Sequence, residues 1–164
     1  GDKVILHAKV SGLASGTHGF HIHEKGDCSS GDGMSAGGHF NPLGKPHSYP
    51  TVADRHAGDM PMLAPDSAGN AVLDGELDVI TIGGGATDIV GKAVIVHKDA
   101  DDFKTQPTGN AGARVACGVI RRPIRRRGTA HARRAATLRE ETSRWPARCA
   151  RRCPGRRARR LRVE

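Results

Sequence analysis

Thr17-His18-Gly19-Phe20-His21-Ile22-His23-Glu24 is the stretch on which the reading of this chain turns. Residues 17–23 read as a short strand, and successive strand side chains point to opposite faces. His21 and His23, two positions apart, therefore share a face, and two imidazoles on one rigid face form half of a metal site. By itself the pair fits surface or hydrogen-bonded core histidines equally well; the rest of the chain decides.

Working outward, residues 3–10 alternate, with Val4, Leu6, Ala8 and Val10 on one face and Lys3, His7 and Lys9 on the other, as in a half-buried strand. Residues 71–82, 89–97 and 114–120 also read as strands, separated by turn signals such as Asp66-Ser67-Ala68-Gly69-Asn70 and Gly83-Gly84-Gly85. The triple glycine is no phosphate loop, since no helical pattern follows it and the GxGxxG spacing is absent. Residues 24–58 and 98–113 carry no sustained period, and loops that long in a small domain are functional or stapled. With 22 Gly and only 3% aromatics in 164 residues, the composition favours one all-β domain and weakens any case for base stacking. No apolar run reaches the ~18–20 residues that span a bilayer.

The net charge of +9 is unevenly spread. Residues 121–164 hold 17 Arg and 3 Glu, a net +14, whereas the 9 basic and 14 acidic residues of 1–120 give −5. An acidic domain at 1–120 is thus joined to an Arg-rich tail at 121–164, which reads as disordered or non-native. Cys149 and Cys153 in that tail have no accompanying ligand set, and His131 is assigned nothing. The tail's alternative reading is a polyanion-binding segment.

Nine His are many for this length. Beyond His21 and His23 come His39, His47, His56 and Asp59 in the first long loop, His97 closing a strand, and Asp101 four residues later. Three His with one Asp suit tetrahedral zinc, and four imidazoles suit Cu(II). Six of these His and one Asp supply eight ligands only if one imidazole bridges two ions.

Five motifs carry a family resemblance. Gly19-Phe20-His21-Ile22-His23-Glu24, Gly37-Gly38-His39-Phe40-Asn41-Pro42, Arg55-His56-Ala57-Gly58-Asp59, Val96-His97-Lys98-Asp99-Ala100-Asp101-Asp102 and Gly109-Asn110-Ala111-Gly112-Ala113-Arg114-Val115-Ala116-Cys117-Gly118 resemble, in order, the signatures of copper/zinc superoxide dismutases. The match runs from about residue 3 to Ile120, and the phrasing of 56–63 and 105–120 resembles the bacterial branch.

The resemblance implies an all-β, flattened Greek-key barrel or sandwich with two long functional loops. About six of the family's eight strands are expected, because the hairpin that precedes residue 3 in family members is missing here. It implies one copper per subunit on His21, His23, His39 and His97, and one zinc on His39, His47, His56 and Asp59, with His39 shared. Asp101 would tie a copper His to a zinc His, fixing their tautomers. Asp99 and Asp102 are not chosen for that role, and His7 and His18 match no ligand. Cys28 and Cys117 would form a disulfide, which points to a periplasmic or secreted protein.

Arg114 would attract and orient superoxide at the copper mouth, where its fixed, always charged donors suit a small anion. Lys98 and Lys104 are candidate steering residues. The implied reaction is the disproportionation of superoxide to dioxygen and hydrogen peroxide by Cu(II)/Cu(I) cycling, with zinc structural and His39 passing protons. A homodimer is compatible with the family. The rival readings are a metal-binding module without turnover and a polyanion-binding protein acting through its tail.

Overall fold

Period-2 alternation becomes five strands in the computed structural model, which describes residues 3–122. They are β1 (Val4–Val10), β2 (Phe20–His23), β3 (Ala71–Leu77), β4 (Ala93–His97) and β5 (Arg114–Val119), with one short 3-10 turn at Met34–Ala36. β1 pairs with β3, and β2, β4 and β5 form a second sheet in that order; every pairing is antiparallel. The chain switches sheets at each of the first three connections, a sandwich topology. No helix among the described residues is long and apolar enough to cross a membrane.

Inward residues of both sheets meet in one core. Leu6, Ala8, Val10, Ala71 and Leu77 come from the first sheet, and Phe20, Ile22, Val94 and Val96 from the second. Burying a side chain the size of Ile22 contributes about 1.5–3 kcal/mol. β2 and β4 are buried on both faces. The outer face of β4 packs Ala93 and Ile95 against Ala36, Cys28 and Cys117.

Strand limits differ from the sequence expectation. The 71–82 strand stops at Leu77, whose partner is Val4, the first residue of β1. Ile80 stays buried without a ladder, so the apolar pattern outlasts the strand. The 89–97 strand starts only at Ala93, because Gly91 turns at a φ of 81°. Five strands form among the described residues where about six were expected. The pairing of Thr81 with Asp88 remains a single bridge, broken by Gly83, Gly84 and Gly85, all at positive φ. Residues 123–164, with His131, Cys149, Cys153 and most of the Arg-rich tail, lie outside the described residues.

Two features of the second sheet build the site. One is a bulge: Val96 opposes Ala116 but His97 opposes Arg114, leaving Val115 as an extra residue on β5. In unbroken register Arg114 would oppose Lys98 and point to the other face. The other is the free edge of β2, which the first long loop clothes. Ile22 donates to the Gly58 carbonyl at 2.9 Å, and Phe40 donates to the Ile22 carbonyl at 2.8 Å. A side chain on Gly58 would run into the Ile22 carbonyl. These bonds set His39 beside His23 and Asp59 beside His21 as bridge partners.

Candidate metal centre

Because Phe20 and Ile22 face the core, His21 and His23 face the loops, where both are fully buried. His39 and His97 join them, and the donor atoms of the four lie within 4.8 Å of one another. Each has one buried ring nitrogen with no hydrogen-bond partner: Nδ1 of His21 and Nε2 of His23, His39 and His97. The opposite nitrogen is taken in every case. His21 Nε2 is 2.5 Å from Asp101 Oδ2, and His23 Nδ1 donates to the Gly37 carbonyl at 2.9 Å. His97 Nδ1 donates to the Gly112 carbonyl at 3.2 Å. These partners fix each tautomer and aim the remaining lone pair into a shared space.

His39 Nδ1 faces a second set: His39, His47, His56 and Asp59, all buried. Around Asp59 Oδ1 stand the Nδ1 atoms of His47 at 2.8 Å, His39 at 3.3 Å and His56 at 3.5 Å. Tetrahedral zinc with bonds of 2.0–2.1 Å has ligand–ligand edges of about 3.3 Å, so this donor set fits zinc in both type and size. Asp59 Oδ2 accepts from the main-chain N–H of Ser48 and of His56, both at 3.1 Å. Asp101 joins the two sets, with Oδ2 on His21 and Oδ1 accepting from His47 Nε2 at 2.9 Å.

Burial lowers the pKa of His21, His23, His39 and His97, to about 2 for His23 and about 4 for His39 and His97. They therefore stay neutral at physiological pH, the form that binds a metal. Burial acts the same way on His47, but its hydrogen bonds to Asp101 and Asp59 outweigh it and raise the pKa to about 9. Burial would raise the two carboxyls, yet their imidazole partners hold both below the usual carboxylate range.

Arg114 lies beside the four-His set, partly buried. Its Nη1 donates to the Gly33 carbonyl at 2.8 Å and its Nη2 to the Gly37 carbonyl at 2.7 Å. Gly37 thus serves both Arg114 and His23. Cys28 and Cys117 are bonded across 89 positions, anchoring the loop that carries Gly33 and Gly37. Closing a loop of that size contributes about 4–5 kcal/mol by chain entropy. Lys98 and Lys104 are exposed on the second loop.

His7 and His18, given no ligand role, lie outside both sets. His7 is exposed and pairs with Asp74 across the β1–β3 ladder. His18 is buried, Nδ1 2.8 Å from the His97 carbonyl oxygen and Nε2 3.1 Å from that of Ala14. Other contacts escaped sequence reasoning. Buried Arg55 donates to the Val52 carbonyl at 2.7 Å and to Asp78 at 2.5 Å. The Gly37 and Gly112 carbonyls and the side chain of Gln106 also hold site residues, and neither a main-chain acceptor nor a lone Gln has a sequence signal.

The family profile described as "Copper/zinc superoxide dismutase (SODC)" matches residues 1–120. An extracellular superoxide dismutase [Cu-Zn] of Caenorhabditis elegans is 40% identical over 121 residues, covering 70% of this chain and 54% of that protein. One of the same name from Haemonchus contortus is 42% identical over 126 residues, covering 73% of this chain and 68% of its own. The chain thus spans about half the length of the first and about two thirds of the second. Among solved structures, the clock protein EA4 superposes with a TM-score of 0.64 at 42% identity, covering 70% of this chain and 77% of that one.

Proposed function

The chain belongs to the copper/zinc superoxide dismutase family, and from that premise we propose that it disproportionates superoxide to dioxygen and hydrogen peroxide. One observation carries the reading: His39 offers Nε2 to a set of four imidazoles and Nδ1 to a set of three imidazoles and a carboxylate. His21, His23, His39 and His97 would hold copper, and His39, His47, His56 and Asp59 would hold zinc. Bound there, copper supplies the one-electron oxidation and reduction and zinc a fixed, redox-silent charge.

The chain's own residues do the rest. Arg114, its guanidinium held by two carbonyls, attracts and orients the small anion. When its Nε2 lone pair is free of metal, His39 would take up a proton there and pass it toward the reduced product, so that two superoxides and two protons give one dioxygen and one peroxide. Asp101 keeps His21 and His47 in the tautomers that bind.

Metal analysis together with a dismutase assay on the full chain tests this. One copper and one zinc per chain with rapid superoxide removal are expected. Both metals bound without turnover would leave only a metal-binding module. The disulfide fits an oxidising compartment, and with the extracellular names of the two relatives it supports a secreted protein. The 17 Arg of residues 121–164 favour a second reading, retention on polyanions. Elution from heparin at low salt, unchanged when the chain is cut after residue 122, would contradict it.

A further inference from the structure

We propose that Gln106, backed by Phe103 and Tyr49, is a positioning latch by which the second loop holds His47 in place for zinc. The inference rests on the reading that His39, His47, His56 and Asp59 form the zinc set.

His47 stands in a stretch of loop that has no strand on either side. Both of its main-chain polar groups are taken by one side chain 59 positions away. Its N–H donates to Gln106 Oε1 at 2.8 Å, and Gln106 Nε2 donates to its carbonyl at 2.7 Å. A carboxamide making both bonds stands in for a paired strand and fixes the main chain of a single residue. Gln106 Nε2 also donates to the Lys104 carbonyl at 3.3 Å, which ties the side chain to its own loop.

A second, independent contact closes on the same residue. The Phe103 ring stacks on the His47 ring, with centroids 6.3 Å apart and planes at 15°, and the exposed Tyr49 ring stacks on Phe103 at 4.6 Å. Phe103 sits at a φ of 55°, a region that bulky L side chains seldom enter. Its N–H donates to Asp101 Oδ1 at 2.7 Å, the oxygen that also receives His47 Nε2. Main chain, ring face and the Nε2 edge of His47 are therefore set by residues 101–106, while its Nδ1 faces Asp59; His39 and Asp59 are bridge partners of β2, and His56 is tied to Asp59 through its own N–H and carbonyl. Of the four zinc-set residues, His47 is the one whose place depends on the second loop.

The test uses the full chain and its Gln106→Ala, Gln106→Glu and Phe103→Leu variants. Zinc release to a chromophoric chelator and copper retention are measured, with visible spectra after cobalt(II) replaces zinc. Residues that orient a metal ligand typically contribute 10–100-fold to metal affinity. Gln106→Ala should release zinc faster by about that factor, with altered cobalt bands and unchanged copper retention. Gln106→Glu keeps the acceptor for the His47 N–H and should fall between parent and Gln106→Ala. Phe103→Leu should loosen zinc less than Gln106→Ala.

Parental zinc release and cobalt spectra in Gln106→Ala would overturn the latch. So would equal loss of both metals, which marks a general structural role. A parent chain that binds no zinc would sink the zinc-set reading itself, and the latch with it.

Discussion

Four buried imidazole nitrogens without hydrogen-bond partners converge on one space. A buried polar group left unsatisfied costs about 1–3 kcal/mol, and a coordinated cation converts that deficit into bonds. Asp59 and His47 show the complementary case, in which charge is already paired. With both metals stripped by chelation, His47 is held between Asp59 and Asp101 at a pKa of about 9, against roughly 6.5 unfolded. A pKa raised on folding gives stability that is complete below about pH 6.5 and is lost as pH rises through about 9. The lowered histidines act only below pH 6.5, where protonation of the unfolded chain costs stability, so the two windows separate. The stripped protein's Tm should fall between pH 6.5 and 9, and Asp101→Asn should flatten the slope; a level parent profile would contradict the pairing. Arg114→Ala should leave both metals bound while removing charge-assisted contacts worth about 1.5–3 kcal/mol, a roughly ten- to hundredfold drop in kcat/KM. Metal loss in that variant would mean that Arg114 is structural instead.

At the scale of elements, β2 divides its faces, with Phe20 and Ile22 in the core and His21 and His23 in the four-imidazole set. That division was legible because period 2 is a local property. So was the existence of the five strands, from the alternation at Val4–Val10 onward. What stayed hidden was non-local. The β5 bulge depends on where β4 pairs, and it alone turns Arg114 toward His97. The early end of β3 at Leu77 depends on the length of β1, while Asp78 leaves the ladder and meets Arg55. The eight side chains that the fold gathers into these sets, His21 to Asp101, were named through motif resemblance. Gln106 was not, since a side chain that mimics a strand carries no period. Gly109 shows how tightly the loops meet: at a φ of 68°, a side chain there would run into the Asp101 carboxylate and His47 Nε2. Gly109→Ala should therefore lower zinc occupancy and depress the Tm of the metal-loaded protein; parental values for both would contradict the packing. Breaking Cys28–Cys117 by substituting both cysteines with Ser should cost about 2–5 kcal/mol in denaturant melts and weaken the Gly33 and Gly37 cradle of Arg114.

For the molecule as a whole, the electrostatic problem is that residues 1–120 carry −5 and yet should draw in an anion. A local field at a cleft can outweigh net charge; the handful of known examples of such focusing includes a superoxide dismutase. Arg114, with Lys98 and Lys104 exposed on the second loop, would provide that local bias. Raising ionic strength from 0.01 to 0.15 M shortens the Debye length from about 30 to about 8 Å, and kcat/KM should fall across that range. A flat profile would remove the two lysines from the account. All of this chemistry depends on one imidazole, that of His39, serving two ions. Anomalous diffraction from crystals of the copper- and zinc-loaded protein, recorded at both metal edges, tests it most directly. A copper ion on Nε2 of His39 and a zinc ion on its Nδ1 are expected. Two ions with no ligand in common, or a single ion in the pair of sets, would contradict it.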